Sequence, residues 1–179
     1  MRYVIIGNSA AAIGGVEAIR KVDENGEIIL IAREKEFTYS RPLISYYLGG
    51  EVEAENIKYR SETFYEDMKC QAYLGVAAKK INAEDKIVLL SNGDQISYDK
   101  LLVATGGCPI IPPINGLEQV KEQYVFQSME DALALEKVLS PEKNVLILGG
   151  GLIGLKCAEG IGTKAKSITV IDREPQILC

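Results

Sequence analysis

The stretch that most restricts what this chain can become is Asn144-Val-Leu-Ile-Leu-Gly-Gly-Gly-Leu-Ile-Gly154. Its apolar run from Val145 to Leu148 predicts a buried parallel strand, and Leu155, Ala158 and Ile161 carry the apolar period of a helix. Between the two stand glycines at 149, 151 and 154. Gly149 suits a tight turn, Gly151 lets a pyrophosphate approach the backbone at the helix N-terminus, and Gly154 with Ala158 lets that helix lie close on the sheet. Strand, G-x-G-x-x-G and helix in this order point to dinucleotide binding; the alternative is a glycine-rich turn that binds nothing. The next strand, Ser167 to Ile171, ends at Asp172, where such a unit places the acid that takes up ribose hydroxyls. Asp172 favours NAD(H), while its neighbour Arg173 leaves a 2′-phosphate, and so NADP(H), open.

The same order is written once before. Residues 2 to 6 are an apolar strand that runs into Gly7-Asn-Ser9-Ala-Ala-Ala12, and a helix is expected from about Ala10 to Val22. Gly7 is kept, whereas Ser9 and Ala12 hold the second and third glycine places; small residues there still allow close backbone approach. A strand at Ile28 to Ile31 then leads to Glu34, a second ribose-acid candidate. Two such units in one chain suggest two nucleotides that must meet.

Between the units, Ser40 is expected to cap a short helix with Pro42 in its first turn, and Arg41 is a candidate phosphate partner. A helix is expected from about Ser61 to Lys69. Cys70 to Tyr98 alternates like an antiparallel meander with a hairpin turn at Ser91-Asn-Gly-Asp94, expected as a crossover on one face of the sheet. A buried strand from Tyr98 ends in Ala104-Thr-Gly-Gly107, and the stiff Cys108-Pro-Ile-Ile-Pro-Pro-Ile-Asn-Gly116 is the expected linker. The division expected is therefore 1–107 and 108–179. Ser128, with Asp131 three places on, predicts an N-cap and a helix to about Leu139, stopped by Pro141.

Charge and composition remove several functions. With 20 basic against 25 acidic side chains, a net charge of −5 and no basic block, nothing electrostatic invites nucleic acid or an anionic membrane. The four cysteines, at 70, 108, 157 and 179, are far apart, so neither a clustered metal site nor a local redox disulfide is expected. Histidine is absent, which excludes Ser-His-Asp and Cys-His catalysis. The apolar start is too short for an export signal and is broken by Gly7-Asn8, so a cytoplasmic protein is expected.

Taken together, Val4-Ile-Ile-Gly-Asn-Ser-Ala-Ala-Ala12, Tyr39-Ser-Arg-Pro-Leu-Ile-Ser-Tyr-Tyr-Leu48, Ala104-Thr-Gly106 and Gly149-Gly-Gly-Leu-Ile-Gly-Leu-Lys156 resemble the FAD-dependent pyridine nucleotide oxidoreductase superfamily. Within it they look most like NADH:rubredoxin oxidoreductases and the flavin module of NADH-dependent nitrite reductases. The fold so implied is α/β, with two Rossmann-like dinucleotide-binding units, a small antiparallel β-meander, and a second unit that is incomplete. The resemblance implies FAD contacts at Gly7, Ser9, Ala10, Glu34, Arg41, Pro42, Ala78, Ala104, Thr105 and Gly106. It implies NAD(H) contacts at Gly149, Gly151, Leu152, Ile153, Gly154, Asp172 and Arg173. The implied activity passes electrons from NADH through flavin to a protein acceptor such as rubredoxin. The alternatives are a nucleotide-binding or assembly module that needs a partner chain, and an NADH oxidase that uses dioxygen. A homo-oligomer also stays open.

Departures from the family pattern narrow this. No cysteine precedes Cys70, so thiol-based reduction of disulfides or peroxides is not expected. Tyr46 stands about where related ferredoxin reductases have a lysine, and Lys156 where many members have a glutamate, a role left open for Glu159. Cys108 replaces a common arginine and reads as a structural thiol. Members of the family continue for roughly as long again and return to finish the FAD domain, so a fragment is expected here, with a complementing polypeptide as the alternative. No catalytic residue is assigned.

Overall fold

A computed structural model describes residues 1–178. Cys179, one of the four expected free thiols, lies outside the described residues. The chain forms two compact units, one of Met1–Ser40 with Lys58–Gly107, the other of Arg41–Ile57 with the chain from Cys108 onward. Residues 41–57, which the expected division at 107/108 keeps with the first part of the chain, pack with elements more than half the chain away.

The first unit is built on a four-stranded parallel sheet in the order β3 (Cys70–Leu74), β2 (Glu27–Ala32), β1 (Arg2–Ile6), β7 (Lys100–Val103). The central strand pairs on both sides, Ile5 with Leu30 and Ile5 with Leu102. Alternate residues of β1 and β2 point to opposite faces, and both faces are covered, which is why these strands read as unbroken apolar runs. Ile5, Ile28 and Leu30 pack with Ala12, Ile13 and Val16 of helix α1 (Ala10–Val22). Val4, Ile6, Ile29 and Ile31 pack with Val88, Leu90 and Ile96 of the meander. Truncating one fully buried residue of this two-faced core, such as Leu30, would cost about 2–5 kcal/mol.

The meander consists of β4 (Ala78–Asn82), β5 (Ile87–Leu90) and β6 (Gln95–Ser97), antiparallel as expected, with Gly93 at φ 94° in the turn between the last two. Cys70–Leu74 is not part of it. That strand pairs parallel with β2, Ile28 opposite Cys70 through Ala32 opposite Leu74. An edge strand whose outward residues stay partly exposed shows the same alternation as a hairpin strand, so local pattern does not separate them. The helix expected from 61 to 69 is also shorter: α3 is Phe64–Asp67, ended by Lys69 at φ 46° immediately before β3.

In the second unit a 3-10 turn at Arg41–Leu43 leads into α2 (Ile44–Gly49). Helix α4 (Met129–Glu136) opens with the expected capping box: the Asp131 amide donates to the Ser128 hydroxyl and the Ser128 amide to the Asp131 carboxylate. Strands β8 (Asn144–Leu148) and β9 (Ser167–Ile171) pair parallel, joined through α5 (Leu152–Ile161). Leu48, Leu135, Cys157 and Ile161 form the core, with Val145, Ile147 and Ile168 of the sheet against it. β8 is not buried on both faces as its apolar run predicts. Leu146 is 56% and Leu148 43% exposed, because among the described residues this two-stranded sheet is covered on one side.

Candidate functional site

In the first unit the expected residues gather at the C-terminal ends of the parallel strands, the place where open α/β sheets take ligands. Gly7 leaves β1 at φ 129°, its amide donating to the Ile31 carbonyl of β2 at 2.8 Å. A Cβ on Gly7 would overlap the carbonyl oxygen of Ala104, whose own amide donates to Ile6 at 2.8 Å. Gly7 and Ala104 therefore define one narrow floor. Ser9 follows in extended conformation and α1 begins at Ala10, with no side-chain cap and no acid in its first turn. Thr105 and Gly106 continue from Ala104 at the surface, Gly106 at φ 69°.

Glu34 lies just past β2, its carboxylate accepting from the Tyr39 hydroxyl and its carbonyl from the Gly75 amide at 2.9 Å. The Val76 amide donates to Ala32 at 2.9 Å, so the chain into β4, with Ala78 at its start, leaves from beside Glu34. Sequence reasoning passed over Asn8, Tyr39 and Tyr65. The Tyr65 hydroxyl donates to Asn8 Oδ1 at 2.6 Å, and Asn8 Nδ2 donates to the Glu36 carbonyl at 3.3 Å, so the Gly7–Ser9 turn is fastened from outside. Burial pushes the Tyr65 hydroxyl up to about 12, which keeps it a proton donor. Arg41 and Pro42 belong to the second unit, where Arg41 Nη1 donates to the Gln127 carbonyl at 2.8 Å.

The second glycine turn repeats the construction. Gly149 sits at φ 115° with its amide donating to the Ile171 carbonyl at 2.8 Å, and Gly151 is the extended N-cap of α5. A Cβ on Gly154 would overlap the Gly149 carbonyl oxygen and lie 3.3 Å from Ile147 Cγ2, which bears out the close packing read from the sequence. Helix α5 also lacks a side-chain cap and a first-turn acid, and its first turn shows Leu152 (69%) and Ile153 (62%) to solvent. The Asp172 carboxylate accepts from the Gly150 amide at 2.5 Å and the Glu174 amide at 2.9 Å. These two backbone donors, Glu174 first, hold it below the usual carboxylate range. Arg173 is 93% exposed and pairs with Glu174 at 3.0 Å. Lys156 pairs with Glu159 and lies 4.0 Å over the Tyr46 ring.

The contrast with α4 is informative. That helix closes its own N-terminus with Ser128, Glu130 and Asp131, whereas α1 and α5 leave their first-turn amides uncapped behind a glycine turn. Uncapped amides at a helix dipole's positive end suit a diphosphate, and the side-chain-free floors at Gly7 and Gly149–Gly154 give it backbone to approach. The two buried thiols are not set up for redox chemistry. Burial pushes both the Cys70 and Cys157 thiols up to about 11, away from the thiolate a redox cysteine needs. Among the described residues no cluster of metal-ligating side chains exists, and no helix is long and apolar enough to cross a membrane.

The family model described as pyridine nucleotide-disulphide oxidoreductase matches residues 1–179. A similar protein is the NADH-dependent phenylglyoxylate dehydrogenase subunit epsilon of Aromatoleum evansii, 32% identical over 98% of this chain and 42% of its own length. Among solved structures, the covalent putidaredoxin reductase–putidaredoxin complex matches with a TM-score of 0.86 at 27% identity, over 99% of this chain and 43% of that one. NADH:rubredoxin oxidoreductase from Clostridium acetobutylicum matches with a TM-score of 0.75 at 26% identity, over 95% and 44%. The chain thus spans less than half the length of the relatives it matches.

Proposed function

Because the chain belongs to the pyridine nucleotide-disulphide oxidoreductase family, we propose that its first glycine turn holds FAD and its second NADH, in a protein that delivers electrons to a carrier protein of the rubredoxin type. Bound together, the two cofactors supply hydride transfer from reduced pyridine to flavin and onward electron delivery. The chain's own residues bind and orient them. Gly7, Ser9 and Ala10 present the α1 amides to the FAD pyrophosphate, and the Glu34 carboxylate, kept in place by Tyr39, accepts from the adenosine ribose. Ala78 offers backbone near the adenine, while Ala104, Thr105 and Gly106 close the floor beneath the cofactor. Arg41 and Pro42 supply a charged, stiff turn for the phosphate.

On the second turn, Gly149, Gly151 and Gly154 admit the NADH pyrophosphate to the α5 amides, and Leu152 and Ile153 offer apolar contact beside it. Asp172 takes the ribose hydroxyls while its bond to Gly150 fixes the turn. Asp172 favours NADH over NADPH, while Arg173, exposed and paired only with its neighbour Glu174, is the group that would meet a 2′-phosphate. The division of cofactors makes residues 1–107 the source of most FAD contacts and residues 108–179 the source of the NADH contacts, in a cytoplasmic protein.

One observation carries this reading: two strand-to-helix glycine turns with uncapped helix N-termini, each followed by an acid just past the end of the next strand. The test is the absorbance spectrum of the purified intact protein. A yellow protein whose flavin band NADH bleaches, and whose reoxidation is accelerated by an added rubredoxin-type carrier, is expected. A colourless protein that binds nucleotide weakly would instead make this a binding or assembly module. Rapid oxygen consumption without a carrier would make it an NADH oxidase.

A further inference from the structure

In the first unit the acid and the glycine turn are joined through residues 36–39. Tyr65 of α3 makes one attachment. Its ring lies against those of Phe37 and Phe64, with centroids 4.6 and 5.6 Å away, and its hydroxyl donates to Asn8 Oδ1 at 2.6 Å. Asn8 Nδ2 donates in turn to the Glu36 carbonyl at 3.3 Å, so Asn8, Tyr65, Phe37 and Glu36 close a ring that ties the turn after Gly7 to residues 36–37. Tyr39 makes the other attachment, its hydroxyl donating to the Glu34 carboxylate. The Glu34 backbone is held by the Gly75 amide at 2.9 Å, so the Tyr39 bond bears on where the carboxylate points and not on where the chain runs. Between the two attachments stands Thr38. It is fully buried, and its hydroxyl has no hydrogen-bond partner among the described residues, so its side chain adds no polar anchor. The Thr38 carbonyl accepts from the Tyr59 amide at 3.0 Å and Tyr39 bridges Lys58, which makes residues 38–39 and 58–59 one small antiparallel piece. Its far end is tied to α1 by the Arg60–Glu17 pair at 2.7 Å, and its near end to the glycine turn by Asn8. Releasing the near end swings the part that carries Tyr39.

We propose that this piece couples the two halves of the FAD cradle: Tyr39 positions Glu34 directly, and Tyr65, whose hydroxyl touches the glycine turn and not the acid, is a positioning residue for the same carboxylate. This rests on Glu34 being the acid that takes the adenosine ribose of FAD. The consequence is particular to one part of the ligand. Loosening of the fold as a whole weakens every flavin alike, whereas a misdirected Glu34 carboxylate loses the ribose hydroxyl and nothing else. Tyr65→Phe keeps the packing of its ring on Phe37 and Phe64 and takes away only the polar link, so its effect at Glu34 is smaller than that of Tyr39→Phe.

The experiment titrates the intact protein, freed of flavin, with FAD and with the analogue whose adenosine lacks the 2′-hydroxyl, and reads the ratio of the two affinities from flavin fluorescence. A hydroxyl held by a carboxylate makes the parent prefer FAD roughly tenfold or more. Glu34→Ala abolishes that preference. Tyr39→Phe narrows it about threefold or more, and Tyr65→Phe narrows it roughly two- to fivefold. Asn8→Ala, which removes the same link from the other side, narrows it as Tyr65→Phe does. Tyr65→Phe added to Tyr39→Phe narrows it no further, because both act through Glu34. Thr38→Val, which removes a buried hydroxyl without a polar partner, keeps the preference of the parent. A Tyr65→Phe protein that binds both flavins more weakly in equal measure overturns the coupling. So does a narrowed preference in Thr38→Val, or a double variant in which the two single effects multiply. A parent that binds both flavins equally refutes Glu34 as the ribose acid, and a parent that holds no flavin refutes the FAD reading itself.

Discussion

Replacing Gly7 by alanine tests the floor of the first turn most directly, and Gly14 provides the matched control. At Gly7 the backbone sits at φ 129°, a region costing a residue with a Cβ about 1–3 kcal/mol. The added methyl also falls on the Ala104 carbonyl oxygen and 2.8 Å from its carbon, both rigid backbone atoms, for about 1–3 kcal/mol more. The expected loss is about 2–6 kcal/mol, a large part of the roughly 5–15 kcal/mol that keeps a domain folded. Gly14, seven residues on, is inside α1, is exposed, and has no atom within 4 Å of its would-be Cβ. Alanine there removes the flexibility that a glycine brings to a helix, and the same protein should gain about 0.5–1 kcal/mol. Urea unfolding followed by circular dichroism would compare the two. A Gly7→Ala protein within about 0.5 kcal/mol of the parent, or a Gly14→Ala protein less stable than the parent, would refute the geometry from which both numbers come.

Ser128→Ala should cost about 1 kcal/mol by opening the α4 cap, read as a lower urea midpoint. Tyr65→Phe should cost about 1–3 kcal/mol, since it leaves the part-buried Asn8 carbonyl oxygen without its donor, and FAD retention should fall with it. Of the three described cysteines, Cys108, which is exposed and so not the structural thiol its position suggests, should react first with an aromatic disulfide reagent at neutral pH, and Cys70 and Cys157 only on unfolding, because they are buried and protonated. The same two thiols set an alkaline limit. Their folded-state values are raised from 9.0 to about 11, so below pH 9 they are neutral folded or unfolded; above it only the unfolded chain loses protons. Stability measured by urea should therefore decline from about pH 9 toward 11.

Much of this architecture is written locally. The span of α1, the capping box of α4, the Asn92-Gly93 hairpin and the β8–α5–β9 unit all follow from spacing and turn chemistry within a few residues. The glycine floors were legible for the same reason, since Gly7 and Gly149 are demanded by the turn itself. What was not legible depends on distant partners. Nothing near residues 41–57 shows that Ser45 will lie on Gly160, so the segment read as a continuation of the first unit. Cys70–Leu74 carries an alternation that suits either sheet, and only its pairing with β2 decides. No local pattern marks the hydroxyls of Tyr39 and Tyr65 as supports, although they steady Glu34 and Asn8. The apolar run of β8 promised burial on both faces, a property of the layers around a strand that the strand's own residues do not encode.

The placement of residues 41–57 also sets a timetable for synthesis. Leu48, wholly shielded in the finished protein, leaves the ribosome well before Leu135, Cys157 and Ile161 exist to cover it. At about 5–20 residues per second that interval is on the order of ten seconds. During it the first unit has to condense around an unattached loop, and the nascent chain displays an apolar segment of the kind that holding chaperones bind.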